Sequence, residues 1–274
     1  MTSGSEVTLG EEQRQLRVGV KRQSSVILAL IFKDLKSRIQ GSKLGFIFVI
    51  LEPLVFVSVI SLMMFLFGQT EIYGVHVLLF GPTGIIPYLI FKRFLLKLSG
   101  AVGKADGLYD YPQVKPIDAI IASITLQLWL LFLASCVLMF LVWWLLDLAL
   151  PMPRPLEAIG VLALYMVGCF GLGLIVAVYS TLYDVVDRMI GIMRRPILII
   201  SGVIWPIDFL PPSARELLAW NPLVHVIAYL RTYTLGLPPF PEADLFYVFY
   251  VAIALIGLGF ITYYANRYRL VLER

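Results

Sequence analysis

Long runs of apolar residues, separated by short polar stretches, dominate this chain. A helix needs about 20 apolar residues to cross a hydrocarbon layer of about 30 Å. The pattern therefore predicts an all-α integral membrane protein with six transmembrane helices. Five predicted spans have an ordinary length, and the second of them is expected to be interrupted by Pro82 and Pro87. These five spans are 44–67, 73–91, 118–146, 158–182 and 245–264.

The predicted fifth span, between Arg195 and Pro211, is unusually short. Residues 196–210 would reach only about 22 Å as a helix, because each residue adds about 1.5 Å. The apolar residues that follow are broken at Asn221 and Pro222. We therefore predict that 214–231 dips back into the outer leaflet as one or two short helices. Such backbone is stable inside a membrane where protein or water covers it, which points to a translocation path; a lipid-exposed interfacial loop is the alternative.

A shorter amphipathic pattern precedes the first span. The apolar residues Leu28, Phe32, Leu35 and Ile39 recur at helical spacing, with polar residues on the opposite side. This predicts a helix lying flat on the cytoplasmic leaflet, either as a lipid anchor or as a docking surface for a cytoplasmic partner, and the two roles are compatible. The chain then divides into a polar N-terminal tail (1–22), this amphipathic interfacial helix (23–43) and a transmembrane domain (44–274). No cleavable signal peptide is expected.

The basic residues are distributed unevenly between the two sides of these spans. Nineteen of the 22 Lys and Arg residues lie in the segments 1–43, 92–117, 183–196 and 265–274. The segments on the other side, 68–77, 147–157 and 206–243, contain only three. Basic residues remain on the cytoplasmic side during insertion, so both termini are predicted to be cytoplasmic.

The composition supports a membrane protein. Hydrophobic residues make up 59% of the chain and charged residues 15%, against about 25% charged residues in a typical soluble domain. The net charge of +4 resides at the membrane edges, which indicates contact with lipid headgroups and not nucleic-acid binding. Cys136 and Cys169 both lie in apolar runs, so neither a metal site nor a disulfide framework is predicted.

The sequence contains no recognisable catalytic motif. It lacks a GxxxxGK[ST] loop, so the chain is not expected to bind ATP by itself, and it lacks HExxH and GxSxG. Its histidines, His76 and His225, are both predicted on the outer side and are more typical of structural residues. We therefore predict a non-catalytic chain without its own cofactor or metal.

Two other classes of protein remain open. An integral-membrane enzyme acting on lipid-linked sugars would need clustered carboxylates, and the nearest pair is Asp184 and Asp187. Arg188, Arg194 and Arg195 follow closely, which favours a solvated ion-pair cluster. A scaffold that holds an adaptor is the other alternative.

Glu52, Lys92, Arg93 and Lys97 are the charged residues inside or beside the spans with a candidate functional role. Glu52 lies in the first span and must be paired or face water, because a charge in lipid costs several kcal/mol. Lys92, Arg93 and Lys97 cluster where the second span reaches the cytoplasmic side. These side chains either extend to lipid headgroups or, with Glu52, form an entrance site for an anionic lipid-linked substrate.

Three segments carry a resemblance to a known family. They are FKDLKSRIQGSKLGFIFVILEP at 32–53, YPQVKPIDAI at 111–120 and LPPSARELLAWNPLVHVIAYLR at 210–231. From about residue 22 onward the chain resembles the membrane subunits of ABC-2 type polysaccharide exporters. The resemblance is greatest to capsular polysaccharide export permeases of the inner membrane of Gram-negative bacteria, and O-antigen or teichoic-acid exporters are the alternative within this architecture.

The resemblance implies a half-transporter. Such a subunit dimerises, pairs with two copies of a cytoplasmic ATPase that binds ATP and Mg, and moves a lipid-linked acidic polysaccharide. A periplasmic co-polymerase or adaptor and an outer-membrane pore are the further partners implied. In the family the ATPase contacts the regions 23–41 and 104–117, and short gate helices form the link at about 207–231. The coupling residues implied here are Lys33, Lys36, Arg38, Tyr109, Tyr111 and Lys115, and the periplasmic-gate residues are Trp205, Asp208, Trp220, Asn221, Pro222 and His225.

Overall fold

The fold is almost entirely helical in the computed structural model, which describes residues 14, 19, 21–37, 45–66, 68–104, 111 and 114–272. A short antiparallel hairpin joins β1 (Glu71–Ile72) to β2 (Val75–His76), and a 3-10 turn covers Ile207–Phe209. The helices are α1 (21–37), α2 (Gly45–Leu66), α3 (Val77–Ser99), α4 (Ala101–Lys104), α5 (Pro116–Leu146), α6 (Pro155–Leu182), α7 (Asp184–Ile200), α8 (Pro212–Leu218), α9 (Pro222–Leu235), α10 (Leu245–Asn266) and α11 (Arg269–Leu272).

Among the described residues, four helices are long and apolar enough to cross a membrane, namely α3, α5, α6 and α10. They correspond to the predicted second, third, fourth and sixth spans. The predicted first span coincides with α2, which has 22 residues and contains the apolar stretch Leu54–Met64. The chain is therefore a multi-pass membrane protein by the length and composition of its helices, whereas the count of six spans stays a prediction.

The second span differs from its prediction in position and continuity. Residues 71–76 form the hairpin, so α3 begins at Val77 and continues beyond Lys92 to Ser99. Tyr73 and Gly74 both have positive φ, as a tight two-residue hairpin turn requires. The predicted interruption at Pro82 and Pro87 is wrong, because α3 runs through both. Each proline removes only one N–H, and the extensive burial of α3 by its neighbours keeps the helix continuous.

Close backbone contact holds α6 against α10. A Cβ atom on Gly171 would overlap the backbone of Leu255 and Ile256, and one on Gly259 would overlap Gly171. Small residues allow helices to approach in this way, and van der Waals packing then replaces the hydrophobic effect that lipid does not provide.

The short fifth segment consists of the end of α7 and a turn. The helix contains Pro196, ends at Ile200 and is followed by irregular backbone in which Gly202 has a φ of 65°. The chain then forms the 3-10 turn and two short helices, α8 and α9, separated at Asn221 and Pro222. Short helices thus lie where they are predicted, whereas their return into the outer leaflet and their role as a gate stay predictions.

The helix α1 covers 21–37, within and just before the predicted 23–43, and 38–43 lie outside the described residues. Its position on the membrane surface stays a prediction. Its buried residue is Leu30, with Val26, Ile27 and Ile31 also packed against the core. Leu28 and Phe32, from the predicted apolar stripe, are exposed. The helix therefore places one apolar face on the protein, and it leaves a second one available to lipid.

Candidate functional site

An ion-pair cluster joins α2, α3 and α5. Glu52 accepts a hydrogen bond from Lys92 (Oε1–Nζ, 2.6 Å) and another from Arg93 (Oε2–Nη2, 3.1 Å). Arg93 also donates from Nη1 to the backbone carbonyl of Gln127 on α5 at 3.0 Å. The Lys92 ammonium lies 5.4 Å from the centroid of the Phe56 ring. Glu52 is therefore paired, as expected for a carboxylate at this depth.

The cluster has one net positive charge and is partly accessible. Side-chain exposure is 29% for Glu52, 20% for Lys92 and 5% for Arg93. Mutual pairing allows these three charged side chains to lie at partly buried positions, because an unpaired buried charge is strongly destabilising. The excess positive charge attracts anions to the accessible side of the cluster. Lys97, in the last turn of α3, is half-buried.

Asn221 determines where α8 ends and α9 begins. Its Oδ1 accepts the Leu223 N–H at 3.1 Å and so caps α9, and Pro222 occupies the first helical position, where no N–H is needed. Its Nδ2 donates to Ser201 Oγ at 2.8 Å, and this hydroxyl donates to the Ile197 carbonyl at 2.5 Å. The start of α9 is thereby tied to the end of α7.

His225 has a structural place in the same segment. It is 2% exposed, and its Nδ1 accepts the backbone N–H of Asp244 at 2.9 Å. The other ring nitrogen, Nε2, lies 2.7 Å from the Ala219 carbonyl, to which it donates. These bonds connect the end of α8 with the beginning of α10, so His225 holds the segment in position and has no ring nitrogen left for catalysis.

Arg231 is a buried cation that the sequence alone did not identify as a site residue. Its guanidinium lies 3.8 Å from the centroid of the Phe80 ring and donates to the Val203 carbonyl at 3.1 Å. The residue is 7% exposed. One signal was available: Arg231 is one of only two basic residues in 206–243, and it stands in an apolar stretch.

A small cavity of about 30 Å³ lies beside Arg231 and is also lined by Tyr73 and Asp208. The Tyr73 hydroxyl donates to Asp208 Oδ2 at 3.2 Å, which connects the hairpin to the 3-10 turn. Partial burial raises the pKa of Tyr73 above its usual value, and the neighbouring Asp208 carboxylate raises it further. Of the predicted gate residues, Asp208 thus belongs to a polar cluster near Arg231, whereas the rings of Trp205 and Trp220 are exposed.

The predicted coupling residues lie on two neighbouring parts of the chain. Lys33 and Lys36 are exposed on α1, and Tyr111 and Lys115 are exposed before α5. Arg38 and Tyr109 lie outside the described residues.

Asp118 is another residue that the sequence alone did not identify as part of a site. It is a fully buried carboxylate that accepts a hydrogen bond from Gln23 of α1 at 2.8 Å. An aspartate directly before a run of apolar residues is what an ordinary helix start looks like. The sequence therefore offered no signal that Asp118 makes a long-range contact.

The carboxylate pair considered for an enzyme, Asp184 and Asp187, lies at the start of α7. Within the part of the chain that the structure describes, no group of three or more His, Cys, Asp and Glu side chains is arranged to hold a metal ion. Asp184 and Asp187 are exposed in the first turn of α7, where carboxylates are favoured by the helix dipole. Both carboxylates are thus exposed to solvent, and the ion-pair cluster predicted with Arg188, Arg194 and Arg195 stays a prediction.

Known proteins resemble this chain over most of its length. The polysialic acid transport protein KpsM of Escherichia coli is 28% identical over 219 residues, which cover 78% of this chain and 83% of KpsM. The capsule polysaccharide export inner-membrane protein BexB of Haemophilus influenzae is 23% identical over 220 residues, covering 78% of this chain and 80% of BexB. The capsule polysaccharide export inner-membrane protein CtrC of Neisseria meningitidis serogroup A is 22% identical over 240 residues, covering 86% and 89%.

A family match covers both candidate regions described above. Residues 25–235 match the family described as ABC-2 type transporter. This range begins in α1, includes the ion-pair cluster and ends with α9 at Leu235. Because the match covers well over half of the chain, this protein belongs to the ABC-2 type transporter family.

Proposed function

We propose that this chain is the permease subunit of an ATP-driven exporter that moves a lipid-linked acidic polysaccharide of the capsular type across the inner membrane of a Gram-negative bacterium. The observation that carries the proposal is the family match, together with relatives that are named for polysialic acid transport and capsule polysaccharide export. The similarity to KpsM, BexB and CtrC extends over three quarters or more of this chain, so it concerns the membrane domain as a whole.

Energy for export would come from a separate subunit. The sequence has no GxxxxGK[ST] loop, so ATP and Mg would be bound by a cytoplasmic ATPase present in two copies. The exposed side chains of Lys33, Lys36, Tyr111 and Lys115 form the proposed contact with that ATPase. The proposal includes six spans with both termini in the cytoplasm, which the excess of basic residues on that side supports.

The substrate would enter beside the ion-pair cluster. Glu52, Lys92 and Arg93 together have a net positive charge, and Lys92 and Glu52 are accessible. An anionic group on the lipid carrier or on the polymer is attracted to such a site. Glu52 would hold the side chains of Lys92 and Arg93 in place, and one net positive charge would remain in the cluster.

The outer end of the path would be closed by the 207–235 segment. Asn221 and His225 connect α8 and α9 to α7 and α10, which supports a role as a closure held at defined attachment points. In this proposal two copies of the chain form the conduit, and a periplasmic co-polymerase or adaptor and an outer-membrane pore take over the polymer.

The proposal is tested by deleting the gene and examining where the polysaccharide accumulates. We expect surface polysaccharide to be lost and lipid-linked polymer to accumulate inside the cell, with recovery when the intact gene is restored. Purification of the tagged chain should recover an ATPase subunit in equal amount. Unchanged surface polysaccharide, or catalysis on lipid-linked sugars by the isolated chain, contradicts the proposal.

The entrance site is tested with Lys92→Gln, which removes one charge while Arg93 remains paired with Glu52. We expect lower export at an unchanged amount of assembled complex. Arg267→Gln is the matched control, because it removes an equal charge from an exposed residue near the cytoplasmic end of α10, outside the cluster. Equal export by the two variants contradicts the entrance role.

A further inference from the structure

A buried carboxylate connects the interfacial helix to the beginning of α5. Asp118 is the third residue of α5 and has no solvent-exposed surface. Its Oδ1 accepts a hydrogen bond from Nε2 of Gln23, on α1, at 2.8 Å. Its Oδ2 accepts the backbone N–H of Lys115, immediately before α5, at 3.0 Å. One carboxylate thus joins the start of α5 to α1, where Gln23 lies 95 residues before Asp118 in sequence.

The surroundings of Asp118 make this connection rigid. A carboxylate in the first turn of a helix is stabilised by the helix dipole and, as here, by the backbone N–H of the capping residue. The neighbouring Ile117 packs with Tyr263 of α10, and the fully buried Leu270 of α11 belongs to the same apolar cluster. The Asp118 side chain is therefore held in place by α5 and its neighbours, and Gln23 is the part of the contact that brings in α1.

We infer that Asp118 is a positioning residue that makes α1 and the segment leading into α5 move as one unit. The inference rests on the proposed function, in which an ATPase contacts both of these elements. Apolar contacts from Val26, Ile27, Leu30 and Ile31 hold α1 on the core, and such contacts are non-directional, so they permit sliding. The hydrogen bond from Gln23 is directional, and losing it leaves a buried acceptor without its partner, which is costly.

The contact has a mechanical consequence. A displacement of α1 by the ATPase is transmitted through Gln23 and Asp118 to the first turn of α5, a 31-residue helix. Without the contact, α1 can shift along the membrane surface while α5 remains where it is. Hydrolysis would then continue with less polymer exported for each ATP consumed, which is a different defect from loss of folding or of partner binding.

The experiment reverses the polarity of the hydrogen bond. Gln23→Glu places a carboxylate against Asp118, and the two groups repel. In the double variant Gln23→Glu/Asp118→Asn, the new amide at position 118 donates to the new carboxylate at position 23, while the amide oxygen still accepts the Lys115 N–H. Asp118→Asn alone also keeps a contact, because Gln23 can turn its amide to accept. Ser24→Glu is the matched control, since it adds the same charge at an adjacent exposed residue whose hydroxyl bonds only within α1.

Each variant is purified as the complete complex with its ATPase and reconstituted in vesicles, where ATP hydrolysis and polymer export are measured together. We expect Gln23→Glu to lower the polymer exported per ATP by at least about fivefold, the factor that corresponds to loss of one buried hydrogen bond. Asp118→Asn, the double variant and Ser24→Glu should each stay near the wild-type ratio.

Three results overturn the inference: a wild-type ratio for Gln23→Glu, an equal loss for Ser24→Glu, or no recovery in the double variant. Failure of the proposed function is recognised separately. If the wild-type preparation contains no ATPase or exports no polymer, the transport proposal itself falls, whatever the variants do.

Discussion

Lys92 on α3 lies 2.6 Å from Glu52 on α2, and the same carboxylate accepts a hydrogen bond from Arg93. One acidic group therefore balances part of the charge of two basic groups in the apolar interior of the chain. Removing it leaves two cations competing for the Gln127 carbonyl and for whatever water reaches the cluster.

We expect Glu52→Gln to destabilise the protein by roughly 2–4 kcal/mol, at or below the usual range for breaking a buried ion pair, because Glu52 retains some exposure. The measurement is the thermal unfolding midpoint of the purified protein in detergent. Lys92→Gln should cost less, since Arg93 continues to pair with Glu52. A Glu52→Gln/Lys92→Gln double variant that loses as much stability as the two single variants added together, or more, would contradict the pairing.

The contact between α6 and α10 predicts that the effect of a glycine-to-alanine substitution on stability depends strongly on its position. Gly171→Ala places a methyl group into the backbone of Leu255 and Ile256, so the helices must separate, and we expect a loss of about 1–3 kcal/mol in stability. Gly257→Ala on α10 and Gly160→Ala on α6 are controls, because a Cβ atom meets nothing within 4 Å at either position. The yield of folded protein and its unfolding midpoint measure the difference, and equal behaviour of all three variants would rule out the close contact.

The shape of the Arg231 side chain should matter as well as its charge. Arg231→Lys keeps a cation but loses the flat guanidinium that stacks on Phe80 and donates to the Val203 carbonyl. We expect destabilisation of about 1–3 kcal/mol, as for other losses of a buried hydrogen bond and cation–π contact. Arg215→Lys is the control, because its ion pair with Glu242 is longer, at 3.6 Å, and such pairs contribute little. Unfolding midpoints decide the question, and a harmless Arg231→Lys would show that charge alone is required.

Two functions of Asn221 are separable by substitution. Asn221→Asp keeps an oxygen to cap α9 but loses the donor to Ser201, whereas Asn221→Ala loses both contacts. We expect Asn221→Ala to cost about 1–2 kcal/mol in stability and Asn221→Asp less, since the cap is retained. If the link to Ser201 also controls the outer segment, proteolysis between α7 and α9 should become faster in both variants. Protection equal to wild type in Asn221→Asp would leave Asn221 with the capping role only.

Local sequence signals were sufficient for much of this architecture. The apolar runs located the helices of the described residues that are long and apolar enough to cross a membrane, and the amphipathic pattern located α1. The break at Asn221 and Pro222 was also readable, because an N-cap residue followed by proline has a local meaning in any helix. Proline misled the prediction for α3, where Pro82 and Pro87 lie within a continuous helix, since the packing of neighbouring helices outweighed their local cost.

The same distinction between local sequence signals and long-range packing applies to the residues of the candidate sites. Glu52, Lys92 and Arg93 were identifiable because charge inside an apolar run is unusual. Their mutual bonds were not identifiable, because residues on different helices meet only after those helices pack. Asp118 and Arg231 illustrate this limit: their partners Gln23 and Phe80 lie 95 and about 150 residues away along the chain.

The sequence by itself determined that this chain has the apolar helices of a multi-pass membrane protein and which segments form its long helices. These properties follow from the transfer of successive residues between water and lipid, which depends on each segment alone. The tertiary structure decided which charges neutralise each other, how closely α6 and α10 approach and how α1 is joined to α5. Those contacts depend on the relative positions of separate helices, and side-chain shape and hydrogen-bond direction select among them only once the helices are packed together.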